Sequence, residues 1–275
     1  MTRPTIAFIG GGNMARSIIG GLVADGYPAA RLTAADPNEE QRSRLHADFG
    51  IATGSDNDAL ARAADIVVLA VKPQVMPEIA RGLSTAVAAA CPLVISVAAG
   101  IRQRDLARWL AYDGAVVRCM PNTPALLQCG ISALHANAAV TAEQRERATT
   151  ILAATGRVVW VEDESQLDVV TGISGSGPAY YFAFMEAMER AALARGLPAA
   201  TARELVLATA LGAARMANEA GDDPATLRAN VTSKGGTTAA ALDAFAAGGL
   251  DALVDSAVDA AQRRARELGD ELGEG

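Results

Sequence analysis

The sequence predicts an α/β chain in two parts, an N-terminal doubly wound parallel sheet followed by an all-helical domain. Three observations carry that prediction. Residues 1–162 alternate strand-like runs with helical patterns, whereas strand-like runs stop after Asp163. The runs in the first part, such as Ile66-Val67-Val68-Leu69-Ala70-Val71, are apolar without alternation, as befits strands covered on both faces. The 275 residues are 51% hydrophobic and only 4% aromatic, enough for two domains with cores of Ala, Val, Leu and Ile. The expected boundary is a short loop within Glu162–Ser165, giving domains 1–162 and 163–275.

The expected strands are Thr5–Gly10, Arg31–Ala35, Ile66–Val71, Leu93–Val97, Val116–Met120 and Val158–Val161, with a short one between Gly130 and His135. Helical patterns lie between them at Met14–Ala24, Glu39–Phe49, Val75–Ala89, Arg102–Leu110 and Ala142–Ala154. This alternation implies right-handed crossovers. In the second part, Pro178–Arg195 reads as a helix stopped by Gly196 and Pro198, and Thr201–Ala220 as one stopped by Gly221 and Pro224. Three more are expected at about 225–231, 237–247 and 250–272. These helices are apolar over much of their circumference, with small residues at Ala208, Ala210, Ala213 and Ala214. Such helices belong in an interior. A small helical domain cannot hide them alone, so a homodimer through this domain is expected, with higher assemblies left open. A compact monomeric bundle is the alternative.

The net charge of −7 and the lack of a basic stripe argue against nucleic acid as a partner. Arg263, Arg264 and Arg266 are followed by Glu267, Asp270, Glu271 and Glu274, which reads as a solvated helix face. The three cysteines, Cys91, Cys119 and Cys129, match no metal spacing. Cys91 and Cys119 lie at or beside strands and are expected to be buried. No apolar run reaches the ~18 residues of a membrane span. The first strand follows the N-terminus directly, so no signal peptide is expected, and a reducing cytoplasm fits the whole.

The most informative stretch is Thr5-Ile6-Ala7-Phe8-Ile9-Gly10-Gly11-Gly12-Asn13-Met14-Ala15. A strand ends at Gly10 and a helix begins just beyond, with G-x-G-x-x-A between them. That is the turn of Rossmann-type dinucleotide-binding folds. Gly10 permits the turn, Gly12 lets a phosphate approach the main chain, and small Ala15 lets the helix pack close. A pyrophosphate would then face a helix N-terminus. An unliganded glycine turn is the bland alternative.

Asp36 ends the second strand, where an acid accepts ribose hydroxyls and repels a 2′-phosphate. Arg42 and Arg44 follow and could blunt that repulsion; Asp36 could also simply cap the next helix. The cofactor, NADPH or NADH, stays open. Asn57 either caps a helix or touches the adenosine ribose. Ala70-Val71-Lys72-Pro73, Ala98-Ala99-Gly100 and the proline-flanked Asn122-Thr123 close successive strands at one sheet edge. Lys72, one of two lysines with Lys234, either nears cofactor phosphates or is merely exposed before a helix. Two long Gly/Ser/Thr stretches, Thr171–Tyr180 and Val231–Thr238, open helices and should leave N–H groups free for a substrate carboxylate, or for ordinary capping.

His46 and His135 are the only histidines, and no nucleophile constellation or metal cluster stands out. A reaction needing little acid–base help fits, such as reduction of a protonated imine.

Together IGGGNMA, AVKP, SVAAG, RCMPNTP, TGISGSGPAYYF and VTSKGGTTAAAL, spanning nearly the whole chain, resemble the pyrroline-5-carboxylate reductase family. The resemblance implies a dinucleotide domain, an all-helical dimerisation domain, and NAD(P)H-dependent reduction of 1-pyrroline-5-carboxylate to L-proline. It implies cofactor contacts at Ile9, Gly10, Gly11, Gly12, Asn13, Met14, Asn57, Ala70, Val71, Lys72, Pro73, Ala98, Ala99 and Gly100, with Asn122 and Thr123 by the nicotinamide. It makes Ser233, Gly235, Gly236, Thr237 and Thr238 the substrate loop, with the Thr238 hydroxyl on the ring nitrogen. The family often has proline where Lys234 stands, which bears on affinity more than on the reaction. Asp222 matches an acid that many members carry two residues before the proline at Pro224. A β-hydroxyacid dehydrogenase shares the two-domain plan but uses a helix-borne lysine, and this second half has Lys234 in a glycine loop instead.

Overall fold

The computed structural model describes residues 3–274. Contacts divide the chain into two compact units, Met1–Ser176 together with Ala260–Gly275, and Gly177–Asp259.

The first unit holds an eight-stranded sheet. Its strands are β1 (Ile6–Ile9), β2 (Leu32–Ala35), β3 (Ala52–Gly54), β4 (Ile66–Leu69), β5 (Leu93–Ser96), β6 (Val116–Met120), β7 (Gly130–Ala136) and β8 (Gly156–Trp160). They lie in the order β3-β2-β1-β4-β5-β6-β7-β8. All neighbours are parallel except β6 and β7. Helices α1 (Asn13–Ala24), α2 (Glu39–Phe49), α3 (Asn57–Arg62), α4 (Met76–Ala90), α5 (Gln103–Leu110), α6 (Ala142–Ala153) and α7 (Gln166–Val170) connect or follow the strands.

The unbroken apolar strands are explained by two cores, one on each sheet face. In β1, Ile6 and Phe8 point to a cluster with Ile18, Ile19 and Leu22 of α1 and Ile151 of α6. Ala7 and Ile9 point the other way, to Val67, Leu69, Met76, Leu83, Val87, Leu106 and Trp109. Burying each large aliphatic side chain contributes roughly 1.5–3 kcal/mol.

The second unit is all helical, with α8 (Gly177–Leu193), α9 (Ala199–Glu219), α10 (Pro224–Asn230), α11 (Thr237–Ala247) and the start of α12 (Leu250–Gly273). It leaves large apolar side chains exposed in the single chain, among them Tyr181, Phe182, Leu211 and Leu253. Among the described residues no single helix is long and apolar enough to cross a membrane.

Four expectations change. β3 was unanticipated; it is three residues at the sheet edge with no buried residue. The expected strands overrun their true ends by one or two residues, because Gly10, Ala70 and Val97 leave the ladder to form turns. Cys91 is exposed rather than buried, since it caps α4 in a left-handed conformation (φ 48°). Cys119 is buried as expected, and burial pushes its thiol up to about 12. The stretch Thr171–Gly175 is no loop. It is a π-helical turn continuing α7, with Ser176 N–H bonded to the Thr171 carbonyl at 2.8 Å. The Thr171 and Ser174 hydroxyls bond carbonyls of the preceding turn, so these hydroxyls, like the Ser176 amide, are used locally.

Candidate functional site

Register brings the strand ends to one edge. Ile9 pairs with both Ala35 and Leu69, Leu69 with Ser96, and Ser96 with Arg118. The chain moves from β1 to β2 on one side and resumes at β4 on the other. Such a switch point leaves a crevice beyond the carboxyl ends.

The glycine turn occupies that point. Gly10 N–H bonds the Ala35 carbonyl at 2.8 Å and Ala70 N–H bonds the Ile9 carbonyl at 2.8 Å. Gly10 has φ 96°, and a Cβ there would lie 2.8 Å from the Ala70 oxygen. No other residue fits both constraints. Gly12 caps α1 without any side-chain hydrogen bond, and a Cβ there would meet nothing within 4 Å. The first amides of α1, from Asn13, Met14 and Ala15, have no intrahelical acceptor. The turn therefore fits a dinucleotide pyrophosphate, with open approach over Gly12 onto free N–H groups.

Asp36 is half-buried beside this turn. Its Oδ2 accepts from Gly11 N–H and its Oδ1 from Asn38 N–H, each at 2.8 Å. It does not cap α2; Asn38 does, accepting from the Glu40 and Gln41 amides. Asn57 is the first residue of α3 rather than its cap, a role taken by Asp56, which accepts from Ala59 N–H at 3.0 Å. Lys72 is exposed, and Pro73 opens a short 3-10 turn, Pro73–Val75, before α4.

The Ala98–Gly100 turn is buried at Ala98 and exposed at Ala99. Its brace comes from far along the chain. A Cβ at Gly100 would lie 3.5 Å from Leu272 Cδ1, and one at Gly269 would lie 3.1 Å from the Gly100 oxygen. Arg102 locks that contact, with Nη1 2.6 Å from Asp270 and Nη2 donating to the Arg266 carbonyl. Nothing local in the sequence signals this role for Gly269 and Leu272.

At the end of β6, Asn122 is already committed. Its Nδ2 donates to the Ser174 carbonyl at 3.2 Å and its Oδ1 accepts from Ile131 N–H at 3.0 Å. It ties the π-helical turn to the strand ends, leaving exposed Thr123 at the rim. Below it, Arg118 is 5% exposed and lies 3.1 Å from Glu164 and 3.8 Å from Asp168. Burial raises the Asp168 carboxyl above its ordinary value, while Arg118, Arg102 and Arg266 pull it back. This network was not legible in the sequence. His135 bonds Gln103 Oε1 through Nδ1 at 3.0 Å, a structural pairing.

The other candidates lie in the second unit, so they are described apart. Gly236 N–H bonds the Ser233 carbonyl at 3.0 Å, closing a turn with Gly235 in the left-handed region (φ 70°). Lys234 takes the second place of that turn, where proline's fixed φ also fits. A Cβ at Gly236 would lie 2.3 Å from Ser233 Oγ, so only glycine keeps the serine hydroxyl in place. Gly236 caps α11 with no side-chain bond, leaving the Thr237, Thr238 and Ala239 amides without intrahelical acceptors. Thr238 is half-buried. Chemically the turn offers backbone N–H groups and three hydroxyls to a small anion.

Family models match two stretches of the chain. One, described as pyrroline-5-carboxylate reductase dimerisation, matches residues 164–268, and one described as NADP oxidoreductase, coenzyme F420-dependent, matches residues 5–100. A pyrroline-5-carboxylate reductase of Pseudomonas aeruginosa is 50% identical over 274 residues, covering 100% of both chains. The structure of a pyrroline-5-carboxylate reductase from Coxiella burnetii superposes with TM-score 0.94 at 41% identity, over 97% of this chain and 99% of that one. A Plasmodium falciparum pyrroline carboxylate reductase with NADP bound superposes with TM-score 0.84 at 27% identity, over 98% and 99%.

Proposed function

The chain belongs to the pyrroline-5-carboxylate reductase family, and from that membership we propose that it reduces 1-pyrroline-5-carboxylate to L-proline with NADH or NADPH, the last step of proline synthesis. The reduced nicotinamide, when bound, supplies a hydride to C5 of the protonated imine, whose C=N electron pair passes to nitrogen. The chain binds and orients. Gly10, Gly11 and Gly12 shape the turn, and the Asn13 and Met14 amides hold the pyrophosphate at the α1 N-terminus, with Ile9 at the strand end beneath. Asp36 and Asn57 serve the adenosine end. Ala70–Pro73, Ala98–Gly100 and Asn122-Thr123 border the rest of the cofactor. Ser233, Gly235, Gly236 and Thr237 hold the substrate carboxylate, and the Thr238 hydroxyl hydrogen-bonds the ring nitrogen. Because the imine enters protonated, no strong general acid is needed, and positioning supplies much of the rate.

The observation that carries this reading is the uncapped start of α11 behind the Ser233–Gly236 turn, within a chain matched to reductases along its full length. In the same reading, residues 1–162 form the cofactor domain and 163–275 the substrate and dimerisation domain. The exposed apolar faces of Tyr181, Phe182 and Leu211 favour a homodimer through the helices. A cytoplasmic location fits a biosynthetic enzyme of this composition.

Thr238→Ala tests the assignment. We expect kcat/KM for pyrroline-5-carboxylate to fall by about 10²-fold, with folding and NADH binding intact. Wild-type-like turnover would remove Thr238 from the mechanism.

A further inference from the structure

We propose that this chain takes NADH in preference to NADPH and that Asp36 sets the preference. The proposal rests on the reductase reading and names the cofactor form that the same site selects.

The Asp36 carboxylate is anchored at the crevice. One oxygen accepts from Gly11 N–H, the middle amide of the glycine turn, and the other from Asn38 N–H, each at 2.8 Å. The approach is that close because Gly11 has no side chain. A Cβ there would lie 3.3 Å from Asp36 Cβ, 3.4 Å from Oδ2 and 2.9 Å from Leu45 Cδ1. Each carboxylate oxygen keeps a further lone pair. Those lone pairs suit the hydroxyls of an adenosine ribose and repel a phosphate esterified at the same position.

A 2′-phosphate needs partners, and the surroundings have them engaged. Arg42 folds back over the β2–α2 turn, its Nη1 donating to the Asp36 carbonyl at 2.7 Å and the Pro37 carbonyl at 3.0 Å. Arg44 is paired to Glu40 at 2.5 Å, and Arg16 to Asp48 at 2.5 Å. The N-terminus of α2 is the other natural anion seat. There the Asn38 side chain takes the Glu40 and Gln41 amides, and Glu39 and Glu40 add negative charge in the first turn. A phosphate at this corner meets three carboxylates and a helix end already capped.

The test compares NADH and NADPH on the full-length protein, by titration of nicotinamide fluorescence and by steady-state kcat/KM with pyrroline-5-carboxylate. We expect NADH to be favoured by about tenfold or more. Asp36→Asn removes the charge, and the NADH-to-NADPH ratio should shift toward NADPH by about tenfold. The ratio is the readout because losing the Gly11 anchor alone weakens both cofactors alike. Arg42→Ala should leave the ratio unchanged. Where Asp36→Asn fails to fold, Asp36→Ser reads the same ratio. The proposal is overturned by wild-type preference for NADPH, by an unchanged ratio in both Asp36 variants, or by selective loss of NADPH in Arg42→Ala. The titration needs no imino acid. A chain that binds NADH selectively yet turns over no pyrroline-5-carboxylate would sink the reductase reading and leave this one standing.

Discussion

Gly235→Ala isolates the backbone strain of the proposed substrate turn. Gly235 sits at φ 70°, and a Cβ there would meet nothing within 4 Å. The substitution therefore adds no clash, and its whole cost is the left-handed conformation, about 1–2 kcal/mol. The turn can escape that cost only by moving, which breaks the 3.0 Å bond from Gly236 N–H to the Ser233 carbonyl and shifts the start of α11. A penalty of that size lowers the binding-competent fraction about 5–30-fold. We expect KM for pyrroline-5-carboxylate to rise by about that factor, while NADH binding, measured separately by fluorescence titration, stays at the wild-type value. Lys234→Pro works in the opposite sense. Lys234 holds the second place of the turn, and proline there removes about 0.4–1 kcal/mol of unfolded-state freedom. KM should fall by no more than about fivefold. Unchanged KM in Gly235→Ala, or a loss of NADH affinity equal to the loss of imino-acid affinity, would refute the assignment of this turn to the substrate.

Two predictions concern the sheet unit. Gly21→Ala places a Cβ 2.0 Å from the Ala154 carbonyl oxygen, a backbone atom that cannot rotate away. We expect a loss of about 1–3 kcal/mol in chemical denaturation, and wild-type stability would show that α1 is not seated as described. Asp65 Oδ2 accepts from Thr5 N–H at 2.7 Å and from the Thr5 hydroxyl at 2.8 Å, which holds its carboxyl below the ordinary value of 3.8. A carboxyl lowered on folding stabilises above its unfolded value, and that contribution is lost as pH falls through the folded value. Asp65→Asn should therefore be less stable than wild type near neutral pH, with the difference shrinking below about pH 4. A difference independent of pH would show that the clip does not depend on the charge.

The parts of the fold legible in the sequence were those fixed by neighbours along the chain. The apolar runs at Ile66–Leu69 and Leu93–Ser96 needed only a two-sided sheet to explain them. Gly10 was legible because its turn demands an unusual backbone conformation at that one position. The location of Asp36 was legible too. Its two hydrogen bonds were not, because they depend on how the β2–α2 corner folds against Gly11. The π-helical turn within Thr171–Tyr180 went unanticipated for a related reason. Glycine and serine favour loops, but Gly175 packs against Met120 at the end of β6, where a Cβ would lie 2.5 Å from Met120 Cε, a contact no local pattern shows.

The same distinction separates the glycines of α12. Glycine in a helix interior costs about 1 kcal/mol relative to alanine. By propensity, Gly269 and Gly273 therefore look like weak points in a solvated, charged helix. In the fold they are buried. A Cβ at Gly269 would press within 3.1 Å of the Gly100 oxygen, and one at Gly273 within 2.8 Å of Asp105 Oδ2. Their partners lie more than a hundred positions upstream, beyond the reach of any local pattern. What the helix loses in propensity is offset by a close seat against the turn that carries Ala98–Gly100. The carboxyl edge of the sheet is thus shaped in part by residues 269–273, where charge patterning alone suggested only a solvent-facing helix face.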